Sequence, residues 1–325
     1  MADPSIWDRY WHFDRVASCF DAGGAEDYDD SVATGWRQFF EGLPDHARIL
    51  DLCCGNGAVA LIAAETGLAR GKDFEIVAVD QAAIDPRAYV TRHREAIEAI
   101  EFHSGTAAEA LPFDDDRFDA AVSQYGIEYS DMGRSLGELG RVIAPGGRVR
   151  LVLHAADGVV SRDSRGVIAE ADFLLDTIDL PGAARRCFIA VSAAERTPDA
   201  SEAAHNEARA SLAAFEAALG ATARRVPGAM DQTMLRNAGA VLLDTFNRRA
   251  RFDVDQLVAK TDELGAEIGA HRGRLQALVD AAVERAEVVW IEAALRTGGA
   301  AEFRHEELRK GAGLIGHVVE ADFPL

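Results

Sequence analysis

Asp51, Gly55, Gly57 and Asp80 are the residues whose types and spacing carry chemistry. Asp51 sits in the apolar run RILDL. Gly55-Asn56-Gly57 follows as a tight turn, and the helix-forming run AVALIAAE comes next. Strand, glycine turn and helix make the corner at which a doubly wound α/β domain cradles a ligand. A Cβ there would block close backbone approach, and the helix start offers unbonded N–H donors. Gly55, Gly57 and Ala60 fit GxGxxA, and Asp80 ends the next apolar run, EIVAVD, twenty residues after Ala60. That spacing also satisfies the dinucleotide fingerprint, so two ligand chemistries compete at this corner. Asp51 favours one of them. Its carboxylate, four residues before Gly55, would repel a pyrophosphate against the turn but attract a ligand with a cationic end.

These residues need a sheet to hold them, and the alternation of elements supplies one. Strand 48–52 is followed by a helix over 58–66 and a strand over 75–79. A helix opens near Pro86 and runs to about Ala99, before IEFHS at 100–104 as the third strand. FDAAVSQ, 118–124, is the fourth; a helix over 131–143 stops at Ala144-Pro145-Gly146-Gly147, and RVRLVLH, 148–154, is the fifth. Short loops between such units predict right-handed crossovers and a parallel sheet. LIGHVVEA near the C-terminus offers one further strand, antiparallel at the sheet edge, for which no hairpin partner is identified.

The acidic strand end with its GxG turn, then EALPFDDDRFDAAVSQ and LGELGRVIAPGGRVRLVLH in that order, resembles the class I S-adenosylmethionine-dependent methyltransferases over roughly residues 45–155. The resemblance implies an α/β fold, doubly wound around a mainly parallel Rossmann-like sheet, with S-adenosylmethionine as cofactor. A nicotinamide dehydrogenase would give no reason for these later blocks. Residue by residue, the resemblance implies that Asp51 and the backbone of Gly55 and Gly57 hold the methionine end, with Cys53, Asn56 and Gln124 as further contacts. It implies that Asp80 accepts both ribose hydroxyls and that Gln81 lies against adenine. The family often has an acid after strand three for the adenine amino group; here GTAAEALPF puts Thr106 or Ala107 in that place.

Methyl transfer is an in-line displacement at carbon, so a protein chiefly aligns the partners and excludes water. A base is needed only where the acceptor holds its proton. The acceptor side of a parallel sheet lies at the carboxyl ends of strands four and five, where the chain reads Gln124-Tyr125-Gly126-Ile127-Glu128-Tyr129 and, after strand five, His154. His154 is the candidate base. Glu128 would orient it or bind a substrate ammonium, and Tyr125 completes the candidate catalytic set. The tetrapeptide of acid or Asn, two prolines and an aromatic, typical of methyltransferases acting on exocyclic or amide nitrogens, is absent from this position.

Composition narrows the partners. A net charge of −20, with 54 acids against 34 bases, argues against nucleic-acid phosphates or an anionic membrane. Four cysteines without zinc-ligand spacing fit a reducing compartment and no metal, and no apolar run approaches spanning length, so a cytoplasmic location is expected.

The remaining chain falls into three parts. Residues 1–46 hold three of the four tryptophans. A helix is expected from Asp3-Pro4 along the face Ile6, Tyr10, Phe13, Ala17 and Phe20, then a break at Gly23-Gly24 and a second helix from Ser31 to Gly42. These helices either pack on the sheet or form a lid over the cofactor. Residues 47–155 are the cofactor-binding core. Residues 156–312 read as a helical insertion or cap, in which the apolar stretch 169–188 is a candidate substrate cap, and residues 313–325 return to the sheet. From Val254 to Ala282 an a/d heptad predicts a long helix that packs inside the insertion or against a second copy as a homodimer. The function expected is methyl transfer to oxygen or nitrogen of a small molecule. A protein side-chain methyltransferase and a non-catalytic cofactor-binding scaffold are the alternatives.

Overall fold

The structure, a computed structural model, describes residues 5–17 and 30–325. The expected helix start at Asp3-Pro4, Phe20 and the break at Gly23-Gly24 lie outside the described residues. The chain divides into two units. One joins the residues up to Ser161 with Ala277–Leu325, and the other is Arg162–Gln276.

The first unit opens with α1 (Ser5–Trp11) and α2 (Asp30–Glu41). β1 (Arg48–Leu52), α3 (Ala58–Arg70), β2 (Glu75–Asp80) and β3 (Ile100–Ser104) follow. The single helix expected over 86–99 is two short ones, α4 (Pro86–Tyr89) and α5 (Arg94–Glu98), with His93 left-handed at the start of the second. β4 (Phe118–Gln124), α6 (Met132–Val142) and β5 (Ile143–Leu153) complete the parallel part. β5 begins five residues before the expected strand. Pro145-Gly146-Gly147 is absorbed where the pairing of β4 with β5 shifts register between Phe118 and Ala120.

The sheet order is β3-β2-β1-β4-β5-β7-β6, with β7 (Gly313–Asp322) antiparallel to both β5 and β6 (Glu302–Lys310). The order in which strands are added reverses at β1, which has β2 on one side and β4 on the other, both parallel to it. In an open α/β sheet that switch point is where ligands bind. Alternate strand residues feed two apolar layers. Ile49, Ala120, Val122 and Val152 join α2 and α3 on one face, while Leu50, Ala121, Val149 and Leu151 join α6 and α12 (Glu287–Thr297) on the other. A seven-stranded sheet covered on both faces follows from that alternation.

The expected insertion, 156–312, is therefore too long at its C-terminal end. α12 packs on α6 so closely that a Cβ on Gly140 would come 2.8 Å from Gly298 Cα, and β6 is the hairpin partner of β7.

The second unit is helical, built from the rest of α7 (Val159–Asp172), then α8 (Leu180–Arg196), α9 (Glu202–Arg225), α10 (Gln232–Asn247) and most of α11 (Val254–Ala281). Asp179, Ser201 and Asp231 each cap a helix by accepting a backbone N–H three residues on. Asp253 and Gln256 form a reciprocal capping box at the start of α11. The core of this unit gathers Phe188, Phe215, Leu235, Leu242, Leu257 and Ile268. The stretch 169–188, expected as a substrate cap, is apolar because Leu174, Leu180, Ala184 and Phe188 belong to that core. Pro181 opens α8 rather than breaking a helix.

Candidate functional site

A cavity open to solvent lies at the carboxyl ends of β1, β2 and β4. Asp51, Cys53 and Cys54 line it from β1, Asp80, Gln81 and Ala82 from β2, and Gln124, Tyr125 and Gly126 from β4. Ala108 and Glu109 line it after β3, and Trp7, Trp11 and Val16 from the N-terminal segment. Three carboxylates therefore face the cavity, and no lysine, arginine or histidine is among the described residues lining it.

Asp51 is buried, and its Oδ2 accepts the Ala60 N–H at 3.0 Å in the first turn of α3. Burial pushes its carboxyl up to about 8; the Ala60 N–H pulls the other way, and nearby Asp80 adds to the rise. Asp80 Oδ2 accepts the Gly55 N–H at 2.7 Å and Oδ1 accepts the Ala82 N–H at 2.8 Å. Its carboxyl is raised too, chiefly by burial, with both N–H groups opposing. Two acids that are costly to ionise alone favour a cation between them. Burial, reinforced by the neighbouring carboxylates, holds the Cys53 and Cys54 thiols well above their ordinary range, so neither is a thiolate nucleophile near neutral pH.

The glycine turn is occupied by the chain itself. Gly55 is left-handed (φ 53°), and a Cβ there would stand 2.3 Å from Trp11 Cζ2. The close approach that glycine permits is taken by the Trp11 ring. Gly57 opens α3 against the Phe102 ring, and neither glycine lines the cavity. Asn56 does not line it either. Its Nδ2 donates to the carbonyls of Trp11 at 3.0 Å and Arg15 at 2.8 Å. Residues 7–17 thus form a strap across the cavity. Asp8 accepts the Ala83 N–H at 2.7 Å, His12 stacks on Tyr89 with centroids 4.7 Å apart, and Asp14 accepts the Thr91 N–H at 3.0 Å. Trp7 meets the Tyr129 ring edge-on at 5.5 Å.

Thr106 and Ala107, expected beside adenine, do not line the cavity. The Thr106 N–H donates to the Asp80 carbonyl at 2.9 Å, and a turn from Ala107 to Ala110 presents Ala108 and Glu109 instead. Glu109 Oε1 accepts the Asp131 N–H at 2.9 Å, which anchors it to the start of α6. An acid does follow strand three, then, two residues later than the expected position.

On the acceptor side, Tyr125 is left-handed (φ 52°) and its ring stacks on His154 with centroids 4.1 Å apart. His154 follows the last residue of β5, is fully buried, and is not a wall of the cavity. Glu128 is buried beside it. Tyr125 faces the cavity, with the Glu128–His154 pair behind it. Gln124 also lines the cavity. Its Oε1 accepts the Trp36 indole N–H, and its Nε2 is buried with no partner among the described residues.

The family described as a methyltransferase domain matches residues 49–147. The chain is 32% identical over 152 residues to the chloroplastic 2-phytyl-1,4-beta-naphthoquinone methyltransferase of Arabidopsis thaliana, covering 43% of this chain and 55% of that protein. It is 39% identical over 104 residues to the demethylmenaquinone methyltransferase of Thermus thermophilus, covering 31% and 44%. The chain spans about half the length of these curated relatives. Among solved structures it is similar to the 1,6-didemethyltoxoflavin-N1-methyltransferase of Burkholderia thailandensis, with 20% identity, a TM-score of 0.33, and 40% of this chain and 55% of that one covered.

Proposed function

From the premise that residues 49–147 form a methyltransferase domain of the class I S-adenosylmethionine-dependent family, we propose that this chain methylates oxygen or nitrogen of a small-molecule acceptor. The observation that carries the proposal is the cavity at the sheet's switch point, lined by Asp51, Asp80 and Glu109 with no basic side chain among the described residues. Such a lining favours a cationic cofactor and disfavours a pyrophosphate or a phosphorylated acceptor. The residues fit S-adenosylmethionine. Asp51 is raised to about 8 with no cation beside it among the described residues, and Gln124 Nε2 is an orphaned donor.

When bound, S-adenosylmethionine supplies an electrophilic methyl group on a sulfonium. The chain's residues do the rest. Asp80 receives the ribose hydroxyls on lone pairs left by the Gly55 and Ala82 N–H groups, and Gln81 and Glu109 flank the adenine end. Asp51 offsets the cationic amino-acid end. Trp7, Trp11, Tyr125 and Tyr129 keep water from the transfer path. Tyr125 contacts the acceptor, and the Glu128–His154 pair holds its ring. The naphthoquinone named for the Arabidopsis relative favours a planar, uncharged acceptor, in keeping with these aromatic walls. No helix among the described residues is long and apolar enough to cross a membrane. Cys53, Cys54 and Cys187 are unbridged, which supports a reducing, cytoplasmic setting. The seam of α11 supports packing within its own unit over a homodimer contact.

The test is transfer of label from methyl-labelled S-adenosylmethionine into a small-molecule extract. Labelled product is the expected result. Tight cofactor binding without transfer to any small molecule would favour the scaffold alternative, and label appearing in protein would favour the side-chain alternative. Asp80→Ala is expected to weaken cofactor binding by about 1.5–3 kcal/mol.

A further inference from the structure

A ligand with a zwitterionic end needs opposite treatment of its two charges, and the cavity provides for them unevenly. The ammonium has carboxylates to choose from, and a carboxylate among Asp51, Asp80 and Glu109 is repelled. One buried cavity residue offers a donor with no partner. Gln124 is 6% exposed and its Nε2 makes no hydrogen bond among the described residues.

The orientation of that donor is fixed chemically. An indole N–H can only donate, and the fully buried Trp36 directs its N–H at Gln124 Oε1. The amide oxygen must face Trp36, so the NH₂ group must face away from it. Trp36 is itself held, with the Arg150 guanidinium 5.1 Å from its ring centre and Arg150 paired with Glu320.

Position agrees with chemistry. β4 lies beside β1 with Asp51 opposite Val122, so Gln124 stands at the mouth of the cavity one strand from the Asp51 end. Asp80 is on β2, the opposite side of β1. A cofactor whose ribose reaches Asp80 runs across β1 and brings its amino-acid end between β1 and β4. The Ser130 hydroxyl donates to the Ile127 carbonyl at 2.6 Å, and the Gly55 and Ala60 N–H groups are bonded to Asp80 and Asp51.

We propose that the Gln124 amide, locked by Trp36, is the site that receives the carboxylate of the cofactor's amino-acid end. This rests on the cofactor reading above and adds to it the group that Gln124 contacts. A charge-assisted hydrogen bond of this kind is worth on the order of 10–100-fold in affinity.

The test is a cycle of two ligands and two proteins, read by titration calorimetry. S-adenosylmethionine is compared with its decarboxylated form, which keeps the adenosine, sulfonium and amine and lacks the carboxylate alone. The parent is expected to prefer the intact cofactor about 10–100-fold. In Gln124→Leu that preference should shrink to about threefold or less, with affinity for the decarboxylated ligand unchanged. Gln124→Glu, which keeps an acceptor for the Trp36 indole, should reverse the preference; it guards against a folding defect in the leucine variant, and thermal melts check both. Retained preference for the intact cofactor in both variants overturns the inference and leaves the cofactor reading standing. So does an equal loss for both ligands. A parent that binds neither ligand brings down the cofactor reading itself.

Discussion

Glu128 Oε1 accepts two hydrogen bonds from His154, one from the backbone N–H and one from ring Nδ1, both at 2.9 Å. A carboxylate can only accept, so Nδ1 carries the proton in this pair. The imidazole is held on one side by Glu128 and lies against the Tyr125 ring.

Removing that acceptor takes from two buried His154 donors the oxygen they share. Glu128→Ala is expected to lower unfolding free energy by about 2–4 kcal/mol. Glu128→Gln should cost much less, because an amide oxygen accepts the same two bonds. Urea denaturation of the two variants separates the hydrogen bonds from the charge; equal losses would mean that charge dominates.

His154, buried behind Tyr125, is assigned to positioning. His154→Gln should therefore lower kcat less than about tenfold, raise the acceptor KM, and leave the shape of the pH–rate profile intact. A general base predicts a loss of roughly 10²–10⁴-fold and disappearance of the acid limb. The split between KM and kcat and the pH profile together decide.

Asp51 makes stability depend on pH. Its carboxyl titrates at 3.8 in the unfolded reference and about 8 when folded. Between those values the folded state keeps a proton that the unfolded chain has released. Unfolding free energy should therefore fall as pH rises through this window, by at most about 1.4 kcal/mol per pH unit. Asp51→Asn should flatten the dependence. A cation beside Asp51 favours its ionised form, so cofactor binding should release protons near neutral pH and tighten toward pH 8, which calorimetry in buffers of different ionisation enthalpy measures.

Gly55→Ala meets both a left-handed backbone and the Trp11 ring. The backbone alone costs about 1–2 kcal/mol, and the ring must move as well. In a Trp11→Ala background the same substitution should cost only the backbone part. Faster hydrogen exchange over residues 7–17 in Gly55→Ala would show the strap loosening. Identical costs in the two backgrounds would dissociate ring from glycine.

The parallel sheet was legible because β1, β2, β4 and β5 are apolar runs closed by an acid, a glycine turn or a loop, as strands buried on both faces are. β6 was not. Glu302-Phe303-Arg304-His305-Glu306-Glu307-Leu308-Arg309-Lys310 carries charge on both faces of an edge strand, with Phe303 and Leu308 as its apolar contacts with the core layers. The acid Asp80 could be placed by its strand, whereas Glu109 could not. Its approach to the cavity depends on a turn pinned by the Thr106 N–H, which spacing does not encode. Asn56 reads as a ligand contact in a glycine turn, and only the fold shows that it gathers the carbonyls of Trp11 and Arg15. The strap is a long-range event, and its partners are some forty residues away.

The heptad of α11 was legible as a seam, but its partner was not. Leu257 and Ile268 are buried with Phe188, Phe215 and Leu242 of the same unit, and Leu264 packs on that cluster. Leu257→Ala is expected to destabilise by about 2–5 kcal/mol with no change in molecular mass by light scattering. A dimeric parent giving a folded monomeric variant would show that the seam joins two copies.

Two of the four tryptophans line the cavity, and a third is bonded to one of its lining residues. Trp7 and Trp11 line it, 6.5 Å apart and nearly parallel, and Trp36 is bonded to Gln124. The fourth, Trp290 on α12, is half exposed. The molecule therefore emits light chiefly from its own binding site, over a steady background from one distant indole. A sulfonium and a purine arriving beside Trp7 and Trp11 are expected to alter the emission, so occupancy can be followed by fluorescence without a dye, a label or a known acceptor.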